Sequence, residues 1–402
     1  MFFILAPLFL ILITTLYLYL GCKIISPLQI SKGKKIFLWA LVILLVFSSL
    51  LALINFKLKF NSLIWKKIIW FSYLNFGFST LLFVITLINN SSRFIFIKIK
   101  KISLRNKKND PSNLNQISRR ELFNNLANLG LTSLLSAYGL YEATKNPKLK
   151  KVKVPIVKLP PEFENFRIIQ ITDLHLNVTT DHNYLPQLVE KINSFNPDLI
   201  AITGDLVDGR AKNIKNVIKP LANLKSSFGT FFVTGNHEYY SGAKAWIKEI
   251  KNLGIQVLDN KTVKIKKGQS DLLIAGVNDY SSRRFYPHNV SDPRLLVKDA
   301  PKNQVKILLA HQPRSIYKAS QAGYDLQISG HTHGGQYFPG MFLVYLQQPY
   351  LSGLHQHQNT WIYVSRGTGY WGPPLRIGAP AEISELTLTR KSHKHIIEGI
   401  DS

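Results

Sequence analysis

Hydrophobic and polar positions divide the chain into two parts. Three uncharged runs open it: Phe2–Gly21, Ile36–Asn55 and Ile68–Asn89. Each holds the roughly 20 residues that a helix needs to cross a bilayer. Leu122–Tyr141 is a fourth apolar segment, interrupted by Asn124, Asn125 and Asn128, and a weaker span. The first run has no basic leader and no small-residue cleavage site after it, unlike a signal peptide. Beyond residue 160 the pattern changes to short β-branched runs, each ending in a polar or glycine turn. Strands are predicted over Phe166–Thr172, Asp198–Thr203, Phe231–Thr234, Leu272–Val277, Val305–Ala310, Leu326–Ser329, Trp361–Ser365 and Ser384–Thr389, with helices over Leu185–Phe195 and Ala243–Leu253. Strands alternating with helices predict a layered α/β domain. The expected organisation is a three-span all-α transmembrane unit (1–92), a basic cytoplasmic loop (93–121) and a fourth apolar segment or anchor (122–145). A linker with an edge strand (146–160), the α/β domain (161–392) and a tail (393–402) follow.

Charge sharpens that division. Residues 1–150 hold 20 Lys/Arg against three acids, a net of +17, and residues 151–402 hold 30 against 20, a net of +10. The segment between the third and fourth apolar runs is the most basic: Arg93, Lys98, Lys100, Lys101, Arg105, Lys107, Lys108, Arg119 and Arg120. Lys/Arg-rich loops stay cytoplasmic, so a spanning fourth segment places the α/β domain outside the cytoplasm. Ser118–Phe123, with its arginine pair, resembles a twin-arginine export signal, though an internal one, and the expected location is a bacterial cell membrane with the domain on the extracytoplasmic side. Cys22 is the single cysteine, which excludes an intrachain disulfide and a thiolate metal site. All 11 histidines lie beyond residue 150, so the titratable and metal-binding chemistry is confined to the second part.

Polar residues collect just past the predicted strands, where open α/β sheets place their ligands. Asp173 and His175 follow the first strand, Gly204-Asp205 the second, Gly235-Asn236-His237-Glu238 the third, His311 a later one, and Gly330-His331-Thr332-His333 the next. Five such loops are expected to converge on one edge of a sheet. Imidazole nitrogen with carboxylate and amide oxygen suits Mn, Fe, Zn or Co. Seven donors exceed what one ion with open positions takes, and match two ions sharing a carboxylate.

These stretches together resemble the calcineurin-like metallophosphoesterase superfamily, with all five of its motifs in order across roughly residues 160–390. The extended forms around Gly235–Tyr240 and Gly330–Gln336, with Ser365-Arg366-Gly367, resemble a bacterial, membrane-associated branch. The resemblance implies a β-sandwich flanked by helices. It also implies a phosphomonoesterase or phosphodiesterase with two divalent metal ions, manganese favoured. Asp173, His175 and His333 would hold one ion, Asn236, His311 and His331 the other, and Asp205 would bridge them. His237 would act on the scissile phosphate or protonate the leaving oxygen, and a metal-bridging hydroxide would attack. Asp208 is expected to be a turn residue and Glu238 to orient a neighbour, while Tyr239 and Tyr240 line the entrance or pack. His182, His288, His355 and His357 have no motif support, and His393 and His395 sit in the tail. The partners expected are the lipid bilayer and a phosphoester, with a lipid-linked substrate such as a phospholipid or lipid-modified nucleotide as the narrower expectation. The alternatives are a nuclease, disfavoured because the positive charges are scattered, and a non-catalytic membrane receptor or scaffold.

Overall fold

A computed structural model describes residues 2–54, 62–103 and 114–390. The chain divides into two compact units, one built on Met1–Tyr141 and one on Glu142–Trp371. The first unit is helical: α1 (Phe2–Ile25), α2 (Lys32–Ile54), α3 (Leu63–Ser103) and α4 (Leu114–Thr144). Lys32–Leu51 and Ile64–Ser92 are long and apolar enough to cross a membrane, and Leu10–Ile25 is a shorter apolar stretch of α1. Polar side chains link these helices: Tyr17 and Asn75 both bond Ser49 Oγ, at 2.7 and 3.0 Å, and Asn89 donates to Asn128 Oδ1 at 3.0 Å. In an apolar setting such pairs satisfy groups that lipid cannot. The asparagines that weaken the fourth apolar run thus include a partner for another helix. Basic residues 93, 98, 100 and 101, expected in a loop, lie within α3, and 119 and 120 lie within α4. No Pro or Gly interrupts Ser91–Ser103, so nothing local stops the helix. Asn55, Lys57, Lys59, Arg105, Lys107, Lys108, His393 and His395 lie outside the described residues.

The second unit carries, in chain order, β1 (Lys148–Ile156), β2 (Arg167–Ile171), α5 (Tyr184–Ser194), β3 (Leu199–Ile202), α6 (Ala211–Ile214), β4 (Thr230–Phe232), α7 (Asn236–Ser241), α8 (Ala243–Asn252), β5 (Gln256–Val257), β6 (Lys261–Lys267) and β7 (Ser270–Gly276). β8 (Val305–Leu309), α9 (Ile316–Gln321), β9 (Leu326–Ser329), α10 (Gly340–Tyr345), β10 (Gly353–His357), β11 (Thr360–Val364) and β12 (Glu382–Arg390) complete it. One six-stranded sheet has the order β1-β12-β2-β3-β4-β5, the other β10-β11-β9-β8-β7-β6. β2 to β5 run parallel, as do β7, β8, β9 and β11, while β12, β6 and β10 pair antiparallel with their inner neighbours. This is a β-sandwich flanked by helices.

Strand periodicity explains the layering. Ile168, Leu199, Ala201 and Phe231 of the first sheet face Ile274, Ile307, Leu309 and Ile328 of the second in one fully buried core. The alternate residues, Ile169, Ile200 and Phe232, face outward and are covered by α5 and α8 through Leu188, Ile192, Trp246 and Ile250. Leu308 and Ile362 are covered likewise by α9. Both faces of the inner strands are buried, which is why these strands are almost uninterrupted apolar runs. With strand directions fixed this way, the loops that follow β2, β3, β4, β8 and β9 meet.

Candidate metal centre

Short loops carry the polar residues, and backbone hydrogen bonds lock them. Asp173 N donates to Gly204 O at 3.0 Å, His175 N to Asp205 O at 3.1 Å, and Gly330 N to His311 O at 3.0 Å. Gln170 Nε2 donates to Ser329 O at 2.9 Å, crossing from one sheet to the other. The convergence therefore spans the ends of parallel strands in both sheets, rather than one sheet edge. Asp173, His175, Asp205, His331 and His333 all take left-handed backbone, with φ from +48° to +73°. Such conformations cost a non-glycine residue about 1–3 kcal/mol each and collect at functional sites. The adjoining glycines are needed for space. A Cβ on Gly235 would stand 2.2 Å from Asp205 Oδ1, and one on Gly330 would stand 2.2 Å from Asp173 Oδ2.

The side chains form three groups of donors: Asp173, His175 and His333; Asp205, His311 and His331; and His175, Asp208 and His237. In the first, His175 Nε2 lies 3.0 Å from His333 Nε2, which lies 3.5 Å from Asp173 Oδ1. In the second, His311 Nε2 lies 3.1 Å from both His331 Nδ1 and Asp205 Oδ2. Asp205 Oδ2 is also 3.9 Å from His175 Nε2 and so lies between the two groups. Ligands bound at roughly 2.1 Å and at right angles around one ion stand about 3.0 Å apart, so these spacings fit a metal cage. Asn236 supplies a second sign: its Oδ1 is buried and has no hydrogen-bond partner among the described residues. A buried polar atom without a partner costs free energy that a cation would recover.

Burial and charge set the titration of the site. Burial pushes the Asp205 carboxyl up, but His311 and His237 beside it outweigh that and hold it well below the usual range. Burial raises Asp173. It depresses His331 to about 3 and takes His333 well below the ordinary histidine value, so both imidazoles are neutral donors. His311 is pulled the other way: burial opposes its charge, but Asp205 outweighs burial. Burial likewise opposes charge on His237, and Asp208 and Asp205 together raise it to about 9.

Two residues matter more than the sequence suggested. Asp208, expected to be a turn residue, bonds His175 Nδ1 through one oxygen at 3.2 Å and His237 Nδ1 through the other. That leaves the Nε2 of each ring facing the cluster. Arg376 was not singled out at all, yet it is fully buried. It donates to the carbonyls of Gly369, Ala379 and Arg366, and its Nη2 lies 3.3 Å from His333 Nδ1. Its one trace in the sequence is a lone arginine within an apolar stretch, Leu375–Ala381. Glu238 orients neighbours as expected, accepting from the backbone of Gly235, Leu206 and Asp205 at 2.6, 2.7 and 3.0 Å. Tyr239 is buried against Phe285 and Tyr286, while Tyr240 is 55% exposed beside His237, so packing takes one tyrosine and the entrance the other. His355 and His357 gather around Tyr350 and His182 lies beside Asp181; none of them is in a donor group.

Known proteins match this arrangement. The calcineurin-like phosphoesterase family model matches residues 166–335. An uncharacterized metallophosphoesterase of Helicobacter pylori is 39% identical over 283 residues, covering 68% of this chain and 74% of its own length. A transmembrane protein with metallophosphoesterase domain from Danio rerio is 34% identical over 266 residues, or 64% of this chain and 61% of its own. The Bos taurus protein of the same description is 37% identical, again over 64% and 61%. The chain thus spans about three fifths of the length of these vertebrate relatives.

Proposed function

The chain belongs to the calcineurin-like metallophosphoesterases, and on that premise we propose that it is a membrane-anchored hydrolase of phosphomonoesters or phosphodiesters using two divalent ions. Asp173, His175 and His333 would hold one ion, Asn236, His311 and His331 the other, and Asp205 both. The observation that carries this reading is the close approach of ring nitrogens in two pairs, 3.0 and 3.1 Å apart, beside an unpartnered Asn236 Oδ1. The donor set is nitrogen and oxygen only, which suits Mn, Fe, Zn or Co, with Mn favoured. When bound, the pair supplies positive charge against the phosphoryl oxygens and a water acidified toward neutral pH.

The chain's own residues do the rest. His237 is held as an imidazolium by Asp208 and Asp205. It is 15% exposed, and its Nε2 lies 4.0 Å from Asp205 Oδ2. From there it stabilises charge on a phosphoryl oxygen or hands a proton to the leaving alkoxide. Tyr240 and Trp371, edge-on to His237 at ring distances of 5.1 and 5.8 Å, border the mouth. The full chain in detergent, supplied with Mn, should hydrolyse p-nitrophenyl phosphate or its bis ester. Inertness toward both, in protein that has taken up metal, would contradict the reading and favour a scaffold.

Membrane anchoring motivates a narrower substrate class, a phospholipid or lipid-linked nucleotide. A clear preference for soluble nucleotides over dispersed lipids would remove it. The excess of Lys/Arg in 93–120 supports an extracytoplasmic catalytic domain in a cell membrane.

A further inference from the structure

Helix α10 buries none of its residues. Phe342, Leu343 and Tyr345 are 59–60% exposed and Leu346, just after it, is 81% exposed. Residues 334–354 contain no Lys, Arg, Asp, Glu or His, in a chain with 50 basic and 23 acidic residues. A helix on a globular domain ordinarily buries its apolar side, and a contiguous exposed apolar patch marks a surface that something covers.

The helix is fixed to the rim of the candidate site. It follows directly on the turn that carries His333, with Gly340 N bonded to Tyr337 O at 2.8 Å. In the same turn Gln336 grips the backbone of Trp371, donating to its carbonyl and accepting from its N–H, both at 2.9 Å. Trp371, 54% exposed, stands edge-on to His237. Across the mouth Tyr240 packs on Phe285 at 5.7 Å, and Arg283 and Arg284 beside Phe285 are exposed.

Two observations choose the occupant. The chain carries helices of membrane-spanning length and hydropathy, so the domain is tethered beside a bilayer. The patch also has the chemistry of an interface binder. Its aliphatic and aromatic side chains suit the acyl boundary, Tyr345 and Trp371 suit the headgroup level, and the two arginines complement anionic headgroups. We propose that α10 with Leu346 is a membrane-docking element that enters the lipid interface and holds the mouth of the site at headgroup level, where it takes the phosphoester of a membrane lipid. The substrate part rests on the phosphoesterase reading; the docking part does not.

The test uses the full chain with Cys22→Ser, reconstituted in vesicles of phosphatidylethanolamine and phosphatidylglycerol. Leu343→Cys and Leu346→Cys each carry an environment-sensitive fluorophore. Leu295→Cys is the comparison, an exposed leucine (54%) outside the patch. The labels at 343 and 346 should emit to the blue of the label at 295 and lose most of their emission to nitroxide-bearing lipids. Labels at 343 and 346 that stay in water, that are shielded by a second copy of the chain instead of lipid, or that are quenched no more than 295 would overturn the docking. Turnover of p-nitrophenyl phosphate, measured on the same samples, reports the phosphoesterase reading separately, so that either can fail alone.

Discussion

Asp208 orients the rings of two histidines with different tasks. One oxygen lies 3.2 Å from His175 Nδ1, which turns that ring's Nε2 toward the cluster, and the other bonds His237 Nδ1. Replacing such an orienting carboxylate costs about 10–100-fold in metal affinity or activity. Asp208→Asn should therefore lower kcat by roughly that factor without unfolding the chain, checked by turnover beside a thermal melt. His237→Ala should keep its metal, by elemental analysis, and lose turnover by about 10²–10⁴-fold; full activity would remove His237 from the mechanism. Gly330→Ala drives a Cβ against Asp173 Oδ2 and should reduce metal content although no donor is removed. The Asp and His residues of the three clusters, Asp208 apart, were legible in the sequence because each lies within a few residues of a strand end, so a local motif records it. Asp208 and Arg376 were not, because their partners lie 29 to 43 residues away and only the fold joins them.

Among the elements, the strands buried on both faces were easiest to read. Val305–Leu309 and Leu326–Ser329 are buried along their whole length, and their predicted starts hold to the residue. β6, β5 and β10 escaped notice. β6 has only Val263 and Ile265 turned inward among lysines, β5 is two residues long, and β10 reads as a polar histidine-bearing turn. α10 escaped because its apolar residues are exposed or half-buried and join no core cluster among the described residues. Where an element does cover the core, its loss should be large. Trp246 of α8 is fully buried and donates to Gly209 O at 2.8 Å, so Trp246→Ala should cost about 3–5 kcal/mol in denaturant unfolding. Asp292 gives a pH signature. Arg294, bonded through its side chain and backbone, and Lys318 depress the Asp292 carboxyl to about 2. A folded value below the unfolded one, roughly 3.9, stabilises the protein above the unfolded value and is lost as the pH falls through the folded value. Asp292→Asn should therefore destabilise the protein at neutral pH, the difference shrinking as the pH falls toward ~2 and vanishing below it, compared by thermal melts across that range.

On the scale of the whole molecule, charge and hydropathy separate a helical unit, with two helices long and apolar enough to cross a membrane, from the unit that holds the donor groups. Which side of the membrane the second unit occupies depends on α4. If the basic stretch holds to the cytoplasm, protease added to intact spheroplasts should cleave residues beyond 150; protection there with cleavage only after lysis would place the domain inside. Strand direction brings the ends of parallel strands in both sheets together, and the loops there carry the three donor groups. The central proposal is that the Asp205 carboxylate would serve two ions at once. The most direct test is the metal content of the full chain and of Asp205→Asn, purified alike and measured by elemental analysis with turnover of bis-p-nitrophenyl phosphate. About two ions per chain, falling together with activity in Asp205→Asn, is the predicted result. A folded wild-type chain with no metal, or an Asp205→Asn chain that keeps both ions and its turnover, would contradict it.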